Sequence, residues 1–173
     1  MRTKAADLTK RDYQETLEKT KHFQNTLIHL QYEGKASRGK NVARIRKITG
    51  YFDHQVKKHI KQEHIIFPYL KSHIPRLESL LFVLRTEHED LKKNLFLFRS
   101  QLQSFVRNKK TRTQKGFIGK LKERGTYLIY LLQRHLAEEN GLLYPAADRE
   151  LSPGEKTELI RRIKALGNGS RYF

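Results

Sequence analysis

Glu63 and Glu139 each stand four residues after a histidine, in His59-Ile60-Lys61-Gln62-Glu63 and in His135-Leu136-Ala137-Glu138-Glu139. On a helix that spacing sends both side chains out of one face, a single turn apart. Both pairs fall on apolar stripes. The first belongs to Ile45, Ile48, Phe52, Val56, His59, Glu63, Ile66 and Leu70; the second to Leu121, Leu128, Leu131 or Leu132, His135, Glu139 and Leu142. An unpaired carboxylate is costly to bury on such a stripe. A further histidine, His88, sits in the run Leu77, Leu81, Leu84, His88, Leu91, Leu95, Phe98, Leu102, Phe105, where every other member is Leu or Phe. Imidazole and carboxylate together suit iron, manganese or zinc. Two glutamates and several histidines in one layer would be satisfied by a dinuclear cation centre with carboxylate bridges.

The N-terminal segment offers His22 and His29. His22 is preferred, because its separation from His59 is closer to that between His88 and His135. The candidate metal ligands are therefore His22, His59, Glu63, His88, His135 and Glu139, and no catalytic residue is assigned. The competing reading makes His88 a hydrogen-bonded core residue and each His/Glu pair a solvated helix pair. Recurrence of the same spacing in both halves of the chain favours metal.

Positioning these residues requires helices. Residues 8–33 form the first, with Leu17, Phe23, Leu27 and Leu30 inward and Gly34 as its stop. A Gly- and Lys-rich loop over residues 34–40 precedes a second helix from about Asn41 to Leu70, with Phe67-Pro68 near its end. The third has alternating steps of four and three, the seam of a left-handed bundle. After a basic loop from Arg107 to Lys115, a fourth runs from Phe117 to Tyr144-Pro145, with Gly125 inside it at some cost in helix stability. Ser152-Pro153-Gly154-Glu155 is a capping box that starts a short helix over about 153–166, a lid or brace. The expected fold is all-α: an up-down-up-down four-helix bundle over about 8–147 with a short C-terminal extra helix, in one domain spanning 1–173.

The absence of cysteine excludes disulfides, thiolate metal sites and Cys nucleophiles. No apolar leader is visible and no run is long enough to cross a bilayer, so a soluble, cytoplasmic protein is expected. Phosphate loops, H-E-x-x-H zinc helices and Glu-x-x-His pairs are absent too.

On His22, His59-x-x-x-Glu63 with Phe67-Pro68, Glu87-His88 and His135-Leu136-Ala137-Glu138-Glu139-Asn140 with Tyr144-Pro145, the chain resembles the hemerythrin-like (HHE cation-binding) family over about residues 15–147. The resemblance implies a non-haem di-iron centre of two iron ions, with Glu63 and Glu139 bridging and the histidines terminal; manganese or zinc are the alternatives. It implies binding or sensing of oxygen, peroxide or nitric oxide, or iron handling. Oxygen-carrying members have a further histidine one turn before the third-helix ligand, where this chain has Leu84. That leaves a place for water, an exogenous ligand or a carboxylate such as Glu138, and leaves oxidase or peroxidase activity open. Phe67-Pro68 also comes one residue earlier than is usual.

The formal charge is +18. Much of it is expected at one pole, from Lys35, Arg38 and Lys40 in the first basic loop and Lys109, Lys110 and Arg112 in the second. Such a pole would attract a polyanion or an acidic protein. A basic helical module for nucleic acid, with structural core histidines, is the alternative function.

Overall fold

The computed structural model describes residues 10–108 and 111–168, and these are almost wholly helical. The helices are α1 (Lys10–Tyr32), α2 (Lys35–His73), α3 (Glu78–Arg107), α4 (Thr111–Glu138), α5 (Tyr144–Glu150) and α6 (Pro153–Asn168). A 3₁₀ turn (Pro75–Leu77) joins α2 to α3, and a π-helical turn (Glu139–Leu143) joins α4 to α5. In this helical bundle α1 packs on α2 and α4, and α3 packs on the same two helices. Among the described residues no helix is long and apolar enough to cross a membrane.

The α3 seam is as expected: Leu77, Leu81, Leu84, His88, Leu91, Leu95, Phe98, Leu102 and Phe105 are all buried. The inward face of α1 holds Phe23, Leu27 and Leu30 as expected, with Thr16 and Thr20 in place of Leu17. It runs through Thr16, Thr20, Phe23, Leu27 and Leu30, again in steps of four and three. Threonine reads as polar in a sequence, yet Thr20 satisfies its hydroxyl by donating to the Leu17 carbonyl at 2.8 Å. That bond within its own helix lets it be buried, and Gln133 of α4 donates to the same hydroxyl oxygen at 3.4 Å.

Three expectations for the helix ends are corrected. Residues 35–40 are the first turns of α2 and not a loop, because Gly34 alone breaks the helical path. The second basic loop is shorter than expected at both ends: Arg107 closes α3 and α4 is already helical at Thr111. Lys109 and Lys110 lie outside the described residues. Neither proline ends its helix. Pro68 lies inside α2, on an exposed face where water can serve the His64 carbonyl deprived of its partner. Pro145 falls in the first turn of α5, where a missing N–H costs least.

Gly125 has a packing reason. A Cβ there would come 2.4 Å from Leu27 Cδ1 and 3.2 Å from Phe98 Cε2, so α1 and α3 approach α4 through the space its hydrogen occupies. The core has two parts. One surrounds Phe23, Phe52, Phe98 and Leu128. The other surrounds Phe67, Leu70, Leu84 and Leu143 and takes in Leu159 and Ile163 of α6. The His/Glu pairs lie between them in sequence on α2, α3 and α4. The capping box forms as expected, with Ser152 N–H donating to Glu155 Oε2 at 2.7 Å. Tyr69 of α2 donates its hydroxyl to the Glu155 carbonyl at 2.9 Å, so α6 acts as a brace on α2.

Candidate metal centre

Five of the six candidate ligands converge. His59, Glu63, His88, His135 and Glu139 each offer one ligand atom, and these atoms all lie within 4.8 Å of one another. His59 and Glu63 come from adjacent turns of α2, and His88 comes from the middle of α3. His135 closes α4, while Glu139 opens the π turn. His88 Nε2 lies 2.6 Å from Glu63 Oε2. His59 Nε2 lies 2.8 Å from Glu139 Oε1 and 3.4 Å from Glu63 Oε1. His135 Nε2 is 3.1 Å from the same Glu139 oxygen and 3.2 Å from His88 Nε2. His22 is not brought in: it is exposed, one position off the inward face of α1. His29 is exposed as well and pairs with Glu33 at 2.7 Å.

The carboxylates are almost sealed, Glu63 and Glu139 each being 1% exposed. Glu63 Oε1, Glu63 Oε2 and Glu139 Oε2 are buried without a well-directed hydrogen bond, even with His88 Nε2 only 2.6 Å from Glu63 Oε2. Three such acceptor atoms in one layer are what a cation would satisfy. The donor set, three imidazoles and two carboxylates, fits an iron, manganese or zinc ion chemically.

Protonation in the metal-free cluster follows from crowding. Burial, and then the facing Glu139 charge, push the Glu63 carboxyl well above its usual range. Burial resists ionisation of Glu139 too, but the adjoining His59 and His135 hold it well below. His88 is depressed to about 3, by burial first and then by the charges of His135 and His59, so its ring is neutral. His135 is raised to about 9: burial opposes its charge, but hydrogen bonds with Glu139 and Glu87 prevail.

Glu87 has no assigned role in the sequence reading. Its Oε2 faces His135 Nδ1 at 2.9 Å, which fixes a proton on Nδ1 and turns Nε2 toward the cluster. Arg134 Nε donates to the other Glu87 oxygen at 2.7 Å. The signal was present: Glu87 stands three residues after Leu84 and four before Leu91, on the flank of the buried seam. Phe67 stacks on the His88 ring at 5.7 Å between centroids, so the aromatic before Pro68 braces a site residue.

The π turn corrects the expected α4 stripe. Tyr144 N–H donates to the Glu139 carbonyl, five residues back. The extra residue leaves Leu142, an expected core position, 56% exposed, and buries Leu143 and Tyr144 instead. Beside the cluster lies a small cavity of about 50 Å³, lined by Tyr13 and Thr16 of α1 together with His59, His88, His135 and Glu139.

A family model described as the hemerythrin HHE cation binding domain matches residues 12–147. The chain belongs to the hemerythrin HHE family. The matched span covers all five converging residues and ends before α6. No protein of curated function matches the chain. Membership joins the geometry in pointing to cation binding, and the buried His/Glu cluster is the one place among the described residues where such side chains gather to receive an ion.

Proposed function

We propose that this chain is a hemerythrin-like metal-binding protein of one domain, built on an up-down-up-down helix order. In this reading it holds non-haem iron at His59, Glu63, His88, His135 and Glu139, with His22 left out of the donor set. It acts in binding or sensing oxygen, peroxide or nitric oxide, or in iron handling. The observation that carries this reading is the convergence of two sealed glutamates, both 1% exposed, with three imidazole nitrogens whose ligand atoms all lie within 4.8 Å of one another.

Bound iron would supply an ion able to take a small ligand and exchange an electron with it. The chain's own part is to hold and shield that ion. Glu87 and Arg134 orient His135, and Phe67 braces His88. Phe52, Val56, Leu91 and Leu132 make the adjoining cavity largely apolar. At about 50 Å³ it has room for a ligand of two or three heavy atoms.

The alternative, a basic module for a polyanion with structural histidines, accounts for the charge of +18 but not for sealed carboxylates converging with imidazoles. The functional test exposes ferrous-loaded protein anaerobically to oxygen, nitric oxide or peroxide, and follows its absorption spectrum. Ligand-specific spectral changes that vanish in metal-free Glu139→Ala protein support the proposal. An iron-loaded protein indifferent to all three would reject the small-ligand role and leave iron handling.

A further inference from the structure

The two-iron expectation can be weighed against donor spacing, donor number and charge. Metal–nitrogen and metal–oxygen bonds of about 2.1 Å put neighbouring donors of one ion about 3 Å apart and opposite donors about 4.2 Å apart. The short contacts in this cluster are 2.6 Å, 2.8 Å, 3.1 Å, 3.2 Å and 3.4 Å, near the edge length of a single coordination shell, with Glu63 meeting His88 through Oε2 and His59 through Oε1. The full spread of 4.8 Å exceeds the ideal diameter by only about half an ångström. Two bridged ions lie about 3.5–4 Å apart and draw their donors out along the line between them. Here a single oxygen, Glu139 Oε1, stands at edge distance from His59 Nε2 and His135 Nε2 alike.

Among the described residues the surroundings provide no second set. Glu87 is committed to His135 and Arg134. Glu138 is drawn toward Arg134, at 3.6 Å. Leu84, one turn before His88, is sealed in the apolar core. From α1 the cavity receives Tyr13 and Thr16, whose neutral hydroxyls are weak donors beside carboxylate or imidazole. Charge leads the same way. Two ionised glutamates neutralise one divalent cation by themselves, whereas a second would need further negative charge, such as bound hydroxide, in a layer where both carboxylates are 1% exposed.

Resting on the metal-binding reading above, we infer that the centre seats one divalent ion, held by His59, Glu63, His88, His135 and Glu139 as three nitrogen and two carboxylate donors. A remaining coordination position would be served by the cavity under Tyr13 and Thr16. This departs from the two-iron expectation and turns the cavity into the access point for a small ligand.

The test titrates the metal-free full chain anaerobically with ferrous iron, and in parallel with Mn(II), desalts it, and measures retained metal per chain. Electron paramagnetic resonance is recorded on the manganese form. The inference expects retention to level off at about one equivalent and the manganese signal to be that of an isolated ion. Two equivalents, with the signal of a coupled pair, would overturn it while leaving the metal-binding reading intact. No retention of either metal would overturn both.

Discussion

Glu87 accepts the Nδ1 proton of His135 and is itself clasped by Arg134, so a carboxylate outside the cluster decides which nitrogen the cluster receives. Partners of this kind are worth about 10–100-fold in metal affinity. Glu87→Gln should weaken metal binding by that range without unfolding the chain, as measured by chelator competition; an unchanged affinity would remove Glu87 from the account. Protons compete for the same atoms. His135 is raised to about 9, so at neutral pH the metal must displace a proton from it. Affinity should therefore climb from pH 7 towards 9, by up to about tenfold per unit for each proton displaced, and flatten above. Competition with a chelator of known pH dependence reads this directly. A flat profile would mean that His135 is not a ligand.

The elements carry the next set of consequences. α1 and α3 close on α4 through Gly125, where a side chain would strike Leu27 and Phe98. Gly125→Val should cost about 2 kcal/mol, an overpacking penalty larger than the small gain in helix propensity. Denaturant unfolding would show it, and a neutral result would mean that Leu27 swings aside freely. Much of this architecture was legible in the sequence, since the α3 seam from Leu77 to Phe105 has a regular period that only burial explains. The two His/Glu pairs were legible for the same reason. What escaped was the register of α4 beyond Glu139, because a π turn inserts one residue that no periodicity announces and exchanges Leu142 for Leu143. His22 was mistaken for an inward residue because α1 faces the core with Thr16 and Thr20. Pro68 and Pro145 look like helix ends, but whether a proline ends a helix depends on where its lost hydrogen bond falls. Pro68 lies toward solvent and Pro145 in a first turn.

At the scale of the whole molecule, the bundle pays for its site with two buried carboxylates set among histidines. Metal should therefore stabilise the fold: at a free concentration one hundred times the dissociation constant, by about 2.7 kcal/mol. Burial and the facing Glu139 charge push the Glu63 carboxyl well up, so its ionised form is disfavoured in the metal-free fold, and glutamine removes that charge at nearly the same shape. Glu63→Gln should leave the metal-free melting temperature unchanged or higher while abolishing the shift on adding metal. A variant that melts far below the metal-free parent would show Glu63 to be a structural residue first. Away from the site, Arg38 of α2 lies over the Phe105 ring of α3 at 6.0 Å, where the start of one helix meets the end of the other. That end carries no buried cluster among the described residues. The most direct measurement of the central claim is iron retained per chain after anaerobic loading and desalting, compared between the parent protein and Glu139→Ala. The account predicts iron held by the parent and lost from the variant, whereas a parent that retains none, or a variant that retains as much, would contradict it.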